Sequence, residues 1–154
     1  AMVEKRFNWM KKALKYMLFF TILFLISQAL IVVMNQFIFN IWLGDEAPAV
    51  NYVYSIIFAL FGVAFFFQNV VSTFAMGMNK TRLQAIVYIV SFVVKLLVLV
   101  LFLPKFNSWI LIVFIDFVIF AIYSIVEYID INRFINKMLE KEKENERDIL
   151  SSIL

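Results

Sequence analysis

The chain has 154 residues, of which 64% are hydrophobic and 16% charged, and its formal net charge at pH 7 is +3. Soluble globular domains carry about 45–50% apolar and about 25% charged residues, so this composition excludes an ordinary soluble fold. Cysteine and histidine do not occur, which excludes disulfide frameworks, thiol catalysis, the usual zinc sites and a serine–histidine triad. The basic residues flank apolar stretches, so the positive charge does not indicate nucleic-acid binding. The composition indicates an integral membrane protein.

Four apolar stretches are long enough to cross a bilayer, which requires a helix of about 20 mostly apolar residues. Short turns that contain glycine or proline separate them, and such turns favour neighbouring helices that run in opposite directions. The sequence therefore predicts an all-α integral membrane fold with four antiparallel transmembrane helices. The expected spans are about 16–40, 52–76, 83–103 and 109–129, and the expected turns are 44–48, 77–80 and 104–108.

Lysine and arginine are distributed unevenly between the segments that flank the expected spans. Twelve of them fall on one side of the predicted bilayer, whereas the other side has only Lys105. Because cytoplasmic segments carry an excess of these residues, we expect both termini to be cytoplasmic.

The tail changes character at Ile131. Apolar residues recur there on one helical face, and Arg133 and Lys137 flank that face, a pattern typical of a helix that lies along a membrane surface. We therefore expect an interfacial lead-in (1–15), a four-helix transmembrane unit (16–130) and an amphipathic, then charged, cytoplasmic tail (131–154). The residues of the apolar face are Ile131, Phe134, Ile135, Met138 and Leu139.

Polar side chains inside the spans are candidate functional residues, because polar groups in hydrocarbon are costly unless they face other helices, a cavity or water. One face of the third span and one face of the fourth are polar. In an antiparallel hairpin, residues at equal depth have position numbers with a constant sum, and four polar pairs share nearly the same sum. These predicted pairs are Lys95 with Asp116, Tyr88 with Tyr123, Gln84 with Glu127 and Arg82 with Asp130.

Lys95 lies near the middle of the third span, where a lone lysine costs about 2.5–3.5 kcal/mol on insertion scales. A partner such as Asp116 removes much of that cost. Two interpretations of the pair stay open: a brace between helices, and a charged wall past which an anionic substrate moves. No grouping of residues predicts catalysis, a metal site or a cofactor. The candidates for a substrate path are Lys95, Asp116, Gln84, Tyr88, Ser91, Gln28 and Asn69.

Several short motifs resemble one family of membrane proteins. They are the lead-in at residues 7–12, Trp42-Leu43-Gly44 in the first turn, and Asn69 followed by the run at 77–84. The chain, up to about Met138, resembles the C-terminal portion of Wzx-type polysaccharide (O-antigen) flippases of the multidrug, oligosaccharidyl-lipid and polysaccharide exporter superfamily. The family motifs are W-x-G after the ninth helix and N…G-x-x-K-x-R-x-Q between the tenth and eleventh helices. Family members have two lobes, whereas this sequence predicts one four-helix unit.

The resemblance implies a transport protein rather than an enzyme. It implies a flippase, or part of one, that moves lipid-pyrophosphate-linked oligosaccharide across the bacterial inner membrane by alternating access. The implied partners are membrane lipid, the lipid-linked oligosaccharide, and either the remaining helices of a flippase or further copies of the chain. Two alternatives stay open: a non-transporting structural or accessory membrane subunit, and a small oligomeric drug exporter that uses Asp116 or Glu127 as a proton-coupled carboxylate.

Overall fold

The structure, a computed structural model, describes residues 7–101 and 109–153 of the chain. Over these residues the chain forms four α-helices, and all four are long and apolar enough to span a membrane. The prediction of four such helices is therefore confirmed, whereas the predicted turn at 104–108 lies outside the described residues. The helices are α1 (Phe7–Leu43), α2 (Tyr52–Gly77), α3 (Arg82–Leu101) and α4 (Ile110–Ile153).

A polar turn connects α1 to α2 where the sequence predicts it. A single 3-10 turn covers Gly44–Glu46, and Gly44 has a φ of +59°, a left-handed conformation that glycine adopts without steric cost. Asn51 caps the start of α2, because its side-chain oxygen accepts hydrogen bonds from the N–H groups of Val53 and Tyr54 at 3.1 and 3.4 Å. This cap satisfies two donors that the first turn of a helix otherwise leaves unpaired.

A second tight turn connects α2 to α3. Asn79 has a φ of +58°, which asparagine tolerates better than most residues. Its N–H donates to the carbonyl oxygen of Met76 at 3.0 Å, and the N–H of Lys80 donates to that of Ala75 at 2.8 Å. These two bonds form a Schellman motif, which ends α2.

The buried apolar core lies at one end of the bundle, which we call the packed end. The start of α1, the end of α2 and the middle of α4 meet there. Lys11 adds a polar contact, because its Nζ donates a hydrogen bond to Asn136 Oδ1 at 2.7 Å. The core therefore joins the first helix to the last. Its buried residues are Phe7, Met10, Leu14, Val71, Ala75, Met78, Tyr123, Ile131 and Ile135.

The amphipathic face of the tail is covered by protein. α4 continues without a break past Ile131, so the expected boundary at that residue is not a change of structure. Ile131 and Ile135 are fully buried against α1 and α2, which corrects the prediction that this face lies along the membrane surface. The spacing of the apolar residues shows which face of the helix is buried. It does not show whether protein or a membrane surface covers that face.

The helices pack less tightly away from the packed end. α1 contacts α2 through a stack of Phe24 on Phe66, with ring centroids 4.8 Å apart, and Asn35 Nδ2 donates to Ser55 Oγ at 2.8 Å. None of the residues in the most apolar stretch of α1 is buried, and Ser91 is the one buried residue within α3 as described. The outward faces of α1 and α3 are therefore open to lipid or to further helices.

Candidate functional site

The seam between α3 and α4 carries a charged pair. Lys95 Nζ lies 2.6 Å from Asp116 Oδ1, which confirms the contact that the sequence predicts. The lysine side chain is 35% exposed and the aspartate side chain 17% exposed. The contact pairs the lysine with an opposite charge, as a brace requires, and part of the lysine side chain stays exposed.

The pair lies in the half of α3 that is farther from the turn at Asn79. Lys95 is about 9 Å from Leu101 along the helix axis, and Asp116 is about 9 Å from Ile110, at 1.5 Å of rise per residue. The two side chains are therefore off-centre, toward the ends of α3 and α4 that lie opposite the packed end.

The pair predicted between Arg82 and Asp130 is replaced by another. Lys80 Nζ lies 2.7 Å from Asp130 Oδ2, and the same ammonium lies 4.4 Å from the ring centroid of Phe134, a cation–π contact. The tight turn after α2 places Lys80 beside α4. From this position, two residues before α3 begins, its ammonium reaches the carboxylate of Asp130.

A chain of hydrogen bonds joins α2, α3 and α4 nearer the packed end. Gln68 Nε2 donates to Tyr88 Oη at 2.6 Å and to Ser72 Oγ at 3.2 Å. Ser72 Oγ in turn lies 3.1 Å from Tyr123 Oη. The sequence predicts a direct pair of Tyr88 and Tyr123. In the structure the two are instead linked through the side chains of Gln68 and Ser72 on α2.

Glu127 is the most deeply buried carboxylate of the described residues, with 1% exposure. Neither of its side-chain oxygens has a hydrogen-bond partner within the described part of the chain. Gln84, its predicted partner, donates instead to Tyr88 Oη at 3.4 Å. Burying an unpaired carboxylate costs free energy, so Glu127 is a candidate functional residue. It is not among the substrate-path candidates that the sequence predicts.

Glu127 borders a small cavity of about 270 Å³ where α2 turns into α3. Both signs of charge are present around this cavity, which lies at the packed end. Its charged lining residues are Lys80, Arg82, Glu127 and Asp130.

The remaining candidates are distributed over the bundle. Ser91 is buried on α3, whereas Gln28 lines a separate groove of about 500 Å³ between α1 and α2. Asn69 is exposed and donates to the carbonyl oxygen of Phe65, one turn earlier in its own helix, at 2.8 Å. The structure thus keeps Gln28 and Asn69 apart from the α3–α4 seam.

The residues that sequence reasoning missed are Gln68 and Ser72, at 1% and 3% exposure. The sequence analysis selects Asn69 on α2 as a substrate-path candidate, whereas the adjacent Gln68 is the buried amide. A usable signal exists, because small and polar residues at spacings of three or four predict close approach of helices. That stripe consists of Ala64, Gln68, Ser72 and Ala75.

No protein-family model matches the chain, and no curated protein and no solved structure matches it either. The resemblance to Wzx-type flippases therefore depends on its short motifs and stays a prediction. The features that bear on function are those of the chain itself: the charged pair, the hydrogen-bond chain and the buried carboxylate.

Proposed function

We propose that this chain is a four-helix unit of a Wzx-type flippase, which moves lipid-pyrophosphate-linked oligosaccharide across the bacterial inner membrane. The observation that carries the proposal is the pair of Lys95 and Asp116, 2.6 Å apart in apolar helices, with the lysine 35% exposed. A cation in such a place attracts a pyrophosphate strongly, because Coulomb energies at low dielectric are several-fold larger than in water. Asp116 holds the ammonium at the seam, and an entering phosphate competes for it.

The proposed orientation has four helices that alternate in direction, with both termini in the cytoplasm. The tight turn at Gly44–Glu46 supports it, as do the contacts in which Phe24 meets Phe66 and Asn35 meets Ser55. From Phe24 to Asn35 along α1, the contacted residue of α2 moves back from Phe66 to Ser55, as expected of helices that run in opposite directions. The uneven distribution of lysine and arginine then assigns the packed end to the cytoplasmic side.

The proposed unit acts together with further helices, either the rest of a flippase or other copies of the chain. The apolar faces of α1 and α3 have few protein contacts, so they are available for such partners. A cavity wide enough for an oligosaccharide needs walls on more sides than one α3–α4 seam provides. Rocking of two such walls about the cargo is the alternating-access motion expected of transporters.

Conservative and neutral replacements of Lys95 test the proposal. In a strain that depends on this protein for surface polysaccharide, Lys95→Arg should retain transport, because it keeps the cation, whereas Lys95→Gln should lose most of it. Lys143→Gln is the control, because it removes the same charge from the exposed tail, outside both the seam and the motif at 77–84. The amount of folded protein in the membrane is measured for each variant. If Lys95→Gln transports normally, the proposal is wrong for Lys95, and the pair is only a brace between α3 and α4.

A second candidate function is proton-coupled export of small molecules, and the burial of Glu127 favours it. Of the two carboxylates that the sequence offers for this role, Asp116 is paired with Lys95, whereas Glu127 has no partner among the described residues. Glu127→Gln should then abolish proton-driven efflux of a cationic dye from vesicles, and Glu140→Gln on the charged tail should not. Equal efflux by both variants would exclude this function for Glu127.

A further inference from the structure

A groove of about 600 Å³ lies between α1 and α2 at the packed end, away from the α3–α4 seam. Its volume is within the range of sites that bind small molecules. One face of α1 forms one wall, and the last two turns of α2 form the other. The residues that define this α1–α2 groove are Trp9, Lys12, Tyr16, Phe20, Phe74 and Gly77.

The lining of the groove is apolar and open. Trp9, Tyr16 and Phe20 are 60%, 66% and 54% exposed, so three aromatic rings face outward along one side of α1. At Gly77 an added Cβ would have no heavy atom within 4 Å, which shows that the groove is open above this glycine. A surface of this kind favours contact with a flexible hydrocarbon chain over contact with water.

The charge near the groove is positive. Lys12 belongs to the lining, and Lys15 follows one turn later on α1. No aspartate or glutamate occurs between Phe7 and Leu43. Basic residues beside apolar helix surfaces at the cytoplasmic side of a membrane attract anionic lipid headgroups.

We propose that the α1–α2 groove binds one anionic phospholipid of the bilayer, with an acyl chain along the aromatic wall and the phosphate beside Lys12. Charge complementarity favours this occupant over an apolar helix of another subunit, because an apolar helix would offer no anion to Lys12. The proposal depends on the membrane location of the chain and goes beyond its role in transport. Loss of flippase activity would therefore leave it intact.

Fluorescence of one tryptophan beside the proposed acyl chain tests the proposal in the full chain. Phe20→Trp places it on the groove wall, and Trp9, Trp42 and Trp109 are replaced by phenylalanine so that one tryptophan reports. The protein is reconstituted in mixed vesicles of phosphatidylcholine and phosphatidylglycerol, in which one lipid or the other carries brominated chains that quench tryptophan. We expect brominated phosphatidylglycerol to quench this tryptophan with about fivefold higher relative affinity than brominated phosphatidylcholine, the effect of about one lysine at a membrane surface. Quenching is measured without any transport assay.

Three variants separate the lipid site from general contact with the bilayer. Lys12→Gln should abolish the preference for phosphatidylglycerol, and Gly77→Leu should reduce quenching by both lipids, because the new side chain fills the groove. Lys143→Gln, which removes the same charge from the tail, should keep the preference. Equal quenching by both lipids in the parent protein, or an unchanged preference in Lys12→Gln, would overturn the proposal. So would absence of quenching together with cross-links between copies through the groove, because a second chain would then be the occupant.

Discussion

Replacing either Lys95 or Asp116 by leucine is expected to destabilise the folded chain more than replacing both. A single replacement leaves one charge without its partner at the α3–α4 seam, whereas the double replacement substitutes apolar contacts for the pair. The two charged atoms lie 2.6 Å apart, so each is the nearest opposite charge that the structure provides for the other. The three variants and the parent protein form a double-mutant cycle.

The expected size of the effect follows from the position of the pair. A lone lysine at the centre of a span costs about 2.5–3.5 kcal/mol on insertion scales. Lys95 is 35% exposed and lies about 9 Å from the end of α3, and both facts reduce that cost. We therefore expect each single replacement to lower the free energy of unfolding by about 1.5–2.5 kcal/mol. For the double replacement to cost less than either single one, the coupling energy must exceed the single effect, so we expect a coupling energy of about 2–3 kcal/mol.

The free energy of unfolding can be measured by titration with dodecyl sulfate in mixed micelles, for all four proteins under one set of conditions. The pair of Lys80 and Asp130 supplies a matched control, because it has the same chemistry at 2.7 Å but side-chain exposures of 31% and 56%. Exposed pairs contribute about 0.2–1 kcal/mol. A coupling energy for the seam pair no larger than that of the control pair would refute the reasoning.

Two further predictions concern orientation and packing. Cysteine at Glu46 should react with a membrane-impermeant reagent from outside the cell, whereas cysteine at Asn79 or Asn145 should not; external labelling at Asn79 would contradict the proposed orientation. Gln68→Leu should lower the free energy of unfolding by about 1–2 kcal/mol, because it leaves hydroxyl partners on α2 and α3 unpaired. Asn69→Leu should change it by less than about 0.5 kcal/mol, because that amide is exposed; equal effects of the two variants would contradict the hydrogen-bond chain.

The helices and one contact of the site could be predicted from the sequence, because both depend on local regularity. Apolar runs of sufficient length give four helices, and Gly44 and Asn79, both with positive φ, mark the turns between the first three. Lys95 and Asp116 meet because helices have a constant rise, so depth can be counted from a turn. The count fails for Arg82 at the start of α3. There the geometry of the preceding turn, rather than the helix rise, brings Lys80 to the carboxylate of Asp130.

The remaining errors concern what covers a helix face, which periodicity does not specify. Ile131 and Ile135 recur on one face in the way expected of a membrane-surface helix, but α1 and α2 cover them. On α2, Gln68 and Asn69 are adjacent in sequence and about 100° apart around the helix, as 3.6 residues per turn require. Only the positions of α3 and α4 determine which of the two amides is buried.

The packed end has a consequence for the order in which the protein is made. Lys11 bonds to Asn136 across 125 positions of the chain, and Leu14 shares its core with Ile131 and Ile135. On the proposed topology α1 enters the membrane long before the residues that cover its first turns are synthesised, so lipid or another protein occupies that face in the interval. Helix insertion and helix association are thus separate steps. A chain that stopped before Ile131 would keep all four spans and lose the contacts that hold the first helix to the last.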